Sequence, residues 1–335
     1  MERRYDIDWL RVIAIGLLMV YHVAIVFQPW GLMIGFITNQ QPWEALWRPM
    51  TMLNVWRIPL LFFISGIGVY FSFQNRTWQQ LLKERATRIF IPFLFGIVVI
   101  IPLYVYILQH YYQWTPKYTP SSGHLWFLGN IFSYTVLALP VLSYLKKQEN
   151  RLITIRIKKL MSSPWGLLLV ISCFVVEVLL VKPFQFELYA TTWHGFFLGL
   201  LAFLWGYCFA LAGKSFWSMV AKYRWLLLMV AILFCALRLM QIELLPQNIH
   251  LPIESCLWIF SFFGLGYTYL NKTNKVLPYL SRAAYPVYIM HMIFIGLFST
   301  LILPLSITVQ FKFVIILLGT VAGSLFVYEL IIKRH

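Results

Sequence analysis

The chain has 335 residues, of which 61% are hydrophobic and 18% aromatic while only 11% are charged. That is about half the charge fraction of an ordinary soluble domain, so the chain reads as a polytopic membrane protein whose first partner is the lipid bilayer. A formal net charge of +16 would point to nucleic acid in a soluble protein. Here the lysines and arginines fall in short loops between apolar runs, which is the positive-inside bias of membrane proteins and excludes nucleic acid as a partner.

In chain order, Arg3 and Arg4 precede the apolar stretch DWLRVIAIGLLMVYHVAIVF over residues 8–27. That order also suits a signal peptide, but no small-x-small cleavage site follows and the run has full spanning length, so a retained first helix is expected. Runs long enough to cross about 30 Å of hydrocarbon lie at 8–29, 52–72, 89–108, 124–145, 164–181, 192–213, 225–245, 252–270, 284–303 and 308–331. None alternates with the period of two of a membrane barrel, and Leu, Ile, Phe and Met dominate. The pattern predicts an all-α, polytopic membrane helix bundle of ten transmembrane helices, one domain over residues 1–335. No soluble catalytic domain, internal repeat or low-complexity tract is visible in it. Cys173, Cys208, Cys235 and Cys256 lie singly within apolar runs, without the paired spacing of a zinc or redox motif, and no metal is expected.

Loop charge gives the orientation. With a cytoplasmic N-terminus, the inside segments hold the basic groups at 3–4, 76–88, 146–159, 214–224, 272–282 and 333–334, whereas the outside loops hold only Arg48, Lys117 and Lys182. Both termini are therefore expected in the cytoplasm, because one helix missed or invented would invert every later loop and blur the asymmetry.

Ionisable groups inside an apolar run are functional candidates by default, because charge in hydrocarbon costs several kcal/mol. Arg11 and His22 are eleven residues apart, which on a helix means roughly 16 Å in height and about 20° in angle, three turns along one face. Asp8, one turn before Arg11, joins the same strip and can pair with it at the cytoplasmic surface. A strip of this kind suits the wall of a cavity. An interfacial ion pair and a histidine serving as an interhelical hydrogen-bond donor fit the same spacing.

The stretch RVIAIGLLMVYH, Arg11 to His22, is an Arg, ten residues and a His. RIPLLFFISGIGVYFSF from Arg57, ERATRIFIPFLFG from Glu84, GHLWFLGNI from Gly123 and AAYPVYIMHMIF from Ala283 follow in order. In these five stretches the chain resembles the acyltransferase 3 family of integral membrane acyltransferases. The resemblance implies transfer of an acyl group from cytoplasmic acyl-coenzyme A, such as acetyl- or succinyl-coenzyme A, to a hydroxyl on the outer side of a bacterial inner membrane. The opening YDIDWLR looks most like the glucan-modifying branch, which includes periplasmic glucan succinyltransferases, so an extracytoplasmic glycan is the expected acceptor. The extra extracytoplasmic hydrolase-like domain of some relatives is not present in this sequence.

Under that resemblance each candidate takes a role. A neutral imidazole has a pKa suited to taking a proton from a hydroxyl, which makes His22 the expected general base, with Arg11 and Asp8 on its strip. Arg85 and Arg88, three apart at the entrance of the third span, are expected to meet the phosphates of the donor together with Arg11, although a positive-inside flank looks the same. Arg57, beside Pro59, could bind an acceptor or an acyl carboxylate, or snorkel to the outer interface. His124 and Trp126 open the fourth span and suit a sugar-facing wall, Trp126 being equally suited to interfacial anchoring. His291, after Pro286 in the ninth span, could orient the site or be a buried structural histidine. Glu177, His194, Arg238, Glu254 and Glu329 are further intramembrane candidates that sequence spacing does not pair. A transporter or flippase for an anionic lipid-linked sugar would use similar Arg and His groups, but the inverted repeat and paired broken helices of many transporters are not found.

Overall fold

The structure is a computed structural model that describes residues 3–148 and 151–333, so Arg334 and part of the basic segment 146–159 lie outside the described residues. Among the described residues ten helices are long and apolar enough to cross a membrane: α1 Tyr5–Ile25, α2 Glu44–Gln74, α3 Trp78–Tyr111, α4 Gly123–Lys147, and, after the short α5 Leu152–Met161, α6 Pro164–Val181, α7 Trp193–Ala212, α8 Lys214–Leu239, α9 Gln247–Tyr269, α10 Leu277–Ile302 and α11 Val309–Leu330. No strand occurs among the described residues. An apolar chain in hydrocarbon must satisfy every backbone N–H and C=O internally, and helices do so within one segment.

Several helix limits differ from the hydropathy reading, each for a local reason. α1 stops at Ile25, ahead of Pro29, rather than running to 29. α3 begins at Trp78, eleven residues before the apolar run, because Thr77 and Gln80 form a reciprocal capping box that starts the helix in polar sequence. α8 begins at Lys214, since Gly213 at φ +66° turns the chain directly out of α7. Lys83, Arg85, Arg88, Lys222 and Arg224 thus sit on helices and not in loops.

α3 carries Pro92 and Pro102, neither of which can donate to the carbonyl four residues back. Two π-type turns, Ala86–Phe90 and Gly96–Ile100, precede them and absorb the mismatch. Val98, whose carbonyl Pro102 leaves unserved, instead accepts from the Tyr118 hydroxyl at 2.9 Å.

Packing divides the chain into two compact units. The first comprises Met1–Arg11, Asn54–Phe90 and Trp126–Thr273, and the second Val12–Leu53, Ile91–Leu125 and Asn274–His335. Within the first, α8 and α9 pack most extensively, and stacked phenylalanines link α2 to α7, with Phe63 and Phe209 5.5 Å apart and 7° from parallel. Within the second, α10 packs on α11, and Val23, Phe27, Tyr104, Leu108, Met292 and Ile295 belong to a buried cluster.

Candidate active site

In the second unit three histidines converge. His22 is in the last turn of α1, His124 in the 3-10 turn Gly123–Leu125 that opens α4, and His291 in α10. Gly123, at φ +43°, allows the chain to enter that turn beside Ile101, where a Cβ would meet the Ile101 side chain at 2.6 Å. His22 Nδ1 and His291 Nε2 are 2.7 Å apart, with ring centres 5.0 Å apart and planes 5° from parallel. The His124 ring meets His291 edge-on at 4.9 Å and His22 at 6.5 Å. His291 is fully buried, and its Nδ1 lies 2.6 Å from the Tyr288 carbonyl oxygen. His124 Nε2 donates to the Ile289 carbonyl at 3.1 Å while the Tyr288 hydroxyl donates to the His124 carbonyl, so residues 288–291 are tied to residue 124 from both directions. His124 Nδ1 is buried without a hydrogen-bond partner.

In the first unit the start of α1 forms a charged site. Asp8 accepts from Arg11 at 2.9 Å and from Arg3 at 3.0 Å, which makes the expected Asp8–Arg11 pair and adds a third member. Arg4 binds the fully buried Asp6 and lies 3.8 Å over the Trp217 ring. Arg3, Arg4, Asp8 and Arg11 line a cavity of about 360 Å³ with Gly68, Phe71 and Asn75 of α2. Arg85 reaches its wall, donating to the Gly68 carbonyl at 3.3 Å, and its Nε is buried with no hydrogen-bond partner.

Arg88 takes another direction. It is 76% exposed and paired with Glu84 at 3.1 Å, and Glu84 also accepts from Ser72. The π-type turn over Ala86–Phe90 holds more residues per turn than an α-helix, which widens the angle between positions three apart and separates two arginines that regular spacing puts on one face.

Arg57 and Trp126 belong to the first unit. Arg57 is 2% exposed, so it does not snorkel, and Trp126 lies edge-on to Phe62 at 6.1 Å. The intramembrane groups that spacing leaves unpaired find partners: His194 Nδ1 lies 3.0 Å from the Glu177 carboxylate, and Arg238 binds Glu254 through two bonds. Near them, burial pushes the Glu187 carboxyl up, with Arg238 and His194 pulling the other way. No group of three or more His, Cys, Asp or Glu among the described residues is arranged to hold a metal ion, the three histidines included.

Arg3, Arg4, Phe71, Asn75 and Tyr288 are site residues that the sequence reading does not single out. The two arginines look topogenic by position, and nothing local distinguishes Phe71 or Asn75. Tyr288 stands three residues before His291, a spacing at which a side chain reaches back to a helix carbonyl. No curated protein and no solved structure matches the chain. A family model described as an acyltransferase domain matches residues 4–329, taking in Arg4, Arg11 and the three converging histidines, and the chain thus belongs to the acyltransferase 3 family as a multi-pass membrane acyltransferase.

Proposed function

We propose that the protein is an O-acyltransferase of a bacterial inner membrane that moves an acetyl or succinyl group from cytoplasmic acyl-coenzyme A to a hydroxyl of an extracytoplasmic glycan, in the manner of the glucan-modifying branch. One observation carries the reading. α1 is unbroken from Tyr5 to Ile25 and bears the Asp8–Arg11 pair of the basic cavity at its start and His22 of the histidine cluster in its last turn.

The residues of the cavity fit a phosphate-bearing donor. Arg3 and Arg11 face it, Arg85 borders it with a buried Nε that lacks a partner, and guanidinium forks are suited to phosphate oxygens. Bound there, the donor supplies an activated thioester. Roughly 16 Å along α1, His22 takes the proton of the acceptor hydroxyl. The hydroxyl oxygen bonds to the acyl carbon as the C–S bond breaks, and His22 returns its proton to the departing sulfur, so an ester and a free thiol leave and the imidazole is regenerated. His124 is assigned to the acceptor.

The test uses purified protein in proteoliposomes with radiolabelled acetyl- or succinyl-coenzyme A and a cell-envelope glycan extract. Release of free thiol with label in the glycan is expected. Movement of label across the bilayer without thiol release would make the protein a transporter or flippase instead.

A further inference from the structure

We propose that His291 is a positioning residue that fixes the tautomer of His22, so that Nδ1 of His22 carries the hydrogen and Nε2 is the basic atom. The inference rests on the reading of His22 as general base and names the atom and the partner that reading leaves open.

The Tyr288 carbonyl has a role that is not adjustable. A backbone carbonyl only accepts, so His291 Nδ1, 2.6 Å from the Tyr288 oxygen, must carry a hydrogen. His291 is fully buried, and no carboxylate is among its hydrogen-bond or ion-pair partners. A second proton would create an imidazolium with no counter-charge in contact, which burial makes costly. His291 is therefore the neutral Nδ1–H tautomer, and its Nε2 presents a lone pair. The only role left to His22 Nδ1, 2.7 Å from that lone pair, is donor. One hydrogen on Nδ1 of neutral imidazole puts the lone pair of His22 on Nε2.

The ring geometry supports this direction. The 5.0 Å between ring centres equals the 2.7 Å N···N distance plus one ring radius at each end, so the bond lies along the line of centres. With planes 5° from parallel, the imidazoles lie edge to edge in nearly one plane and not face to face. The Nδ1–H bond of His22 then points straight at the in-plane lone pair of His291, the geometry in which a hydrogen bond is strongest.

The anchor is braced as well. The Tyr288 carbonyl that orients His291 belongs to the segment tied to residue 124 by the Tyr288 hydroxyl and by His124 Nε2. The order Tyr288 carbonyl, His291, His22 resembles a nucleophile-activating triad with a neutral imidazole in place of the carboxylate, and a mis-set tautomer in such an arrangement costs orders of magnitude in turnover. During transfer the hydroxyl proton adds to His22 Nε2, the Nδ1–H of the resulting imidazolium stays donated to His291, and the Nε2 proton leaves with the thiol.

His291→Phe keeps a ring and removes the acceptor, while His291→Gln places an amide oxygen where the lone pair stood. In proteoliposomes, His291→Phe is expected to lose about a hundredfold or more in turnover with little change in donor KM, and His291→Gln to recover most of the loss. In the resting wild-type protein labelled with 15N-histidine, the His22 signals, identified by their loss in His22→Gln, should show a protonated Nδ1 and an unprotonated Nε2, and His291→Phe should shift them towards a tautomer mixture. Near-normal turnover in His291→Phe would overturn the inference, as would equal loss in His291→Gln and His291→Phe at unchanged melting temperature, or an unprotonated His22 Nδ1 in the wild type. The spectrum is read without substrate, so it decides the tautomer even where acyl transfer itself is not found.

Discussion

Glu254 offers the sharpest test of the buried charges. It is fully buried in α9 and accepts from Arg238 Nε at 2.7 Å, from Arg238 Nη2 at 2.8 Å and from Trp258 Nε1 at 3.3 Å. Arg238, on α8, is 14% exposed. Glu254→Leu strands that guanidinium, and breaking a buried pair from one side costs about 3–5 kcal/mol. Glu187 interacts with Arg238 and compensates in part, which places the expected loss near the lower end, about 3 kcal/mol. Arg238→Met in the same chain removes the stranded charge, so the double variant should regain most of what Glu254→Leu loses, about 2–3 kcal/mol. Equilibrium unfolding in mixed micelles on the four proteins of the cycle measures it. A double variant that loses the sum of the two single losses would refute the reasoning, because it would mean that the pair contributes nothing as a pair.

For the proposed chemistry, His22→Gln should lower turnover at least about a hundredfold with donor KM retained, since an amide keeps a hydrogen bond but takes no proton. Near-normal turnover would move the base to His124 or His291. Arg85→Ala should raise donor KM about tenfold or more, the scale of one charge-assisted bond, and Arg88→Ala much less, because Arg88 is exposed and already paired with Glu84. An unchanged donor KM in Arg85→Ala, with the protein still folded, would return both arginines to a topogenic role. Gly206→Ala puts a Cβ 2.1 Å from the Phe63 carbonyl oxygen and should cost about 1–3 kcal/mol in the same unfolding assay. Gly16→Ala, with nothing within 4 Å of its Cβ, should be neutral or slightly stabilising by comparison. Cysteines replacing Lys147 and Lys117 should differ in labelling by an impermeant reagent on intact spheroplasts, and equal labelling would sink the proposed orientation.

The ten helices could be read from the sequence because the requirement is local. A run of about 20 apolar residues must bond its own backbone in hydrocarbon whatever its neighbours are. The Asp8–Arg11 pair was legible for the same reason, being one turn apart on a single helix, and so was the spacing from Arg11 to His22. Helix limits were less so: where the reading failed, at the start of α3 and between α7 and α8, a capping box and a left-handed glycine set the boundary and hydropathy did not. Tertiary structure decided the partners. His22 meets His291 across 269 positions and Arg238 meets Glu254 across 16, and no periodicity selects one buried carboxylate or imidazole over another at such separations. It also parted Arg85 from Arg88, which share a face in a regular helix and diverge through a π-type turn. The tautomer of His22 is the most remote consequence. A ring nitrogen carries or lacks its hydrogen according to the group it faces, and that group is brought into place only when α10 packs with the histidine facing α1.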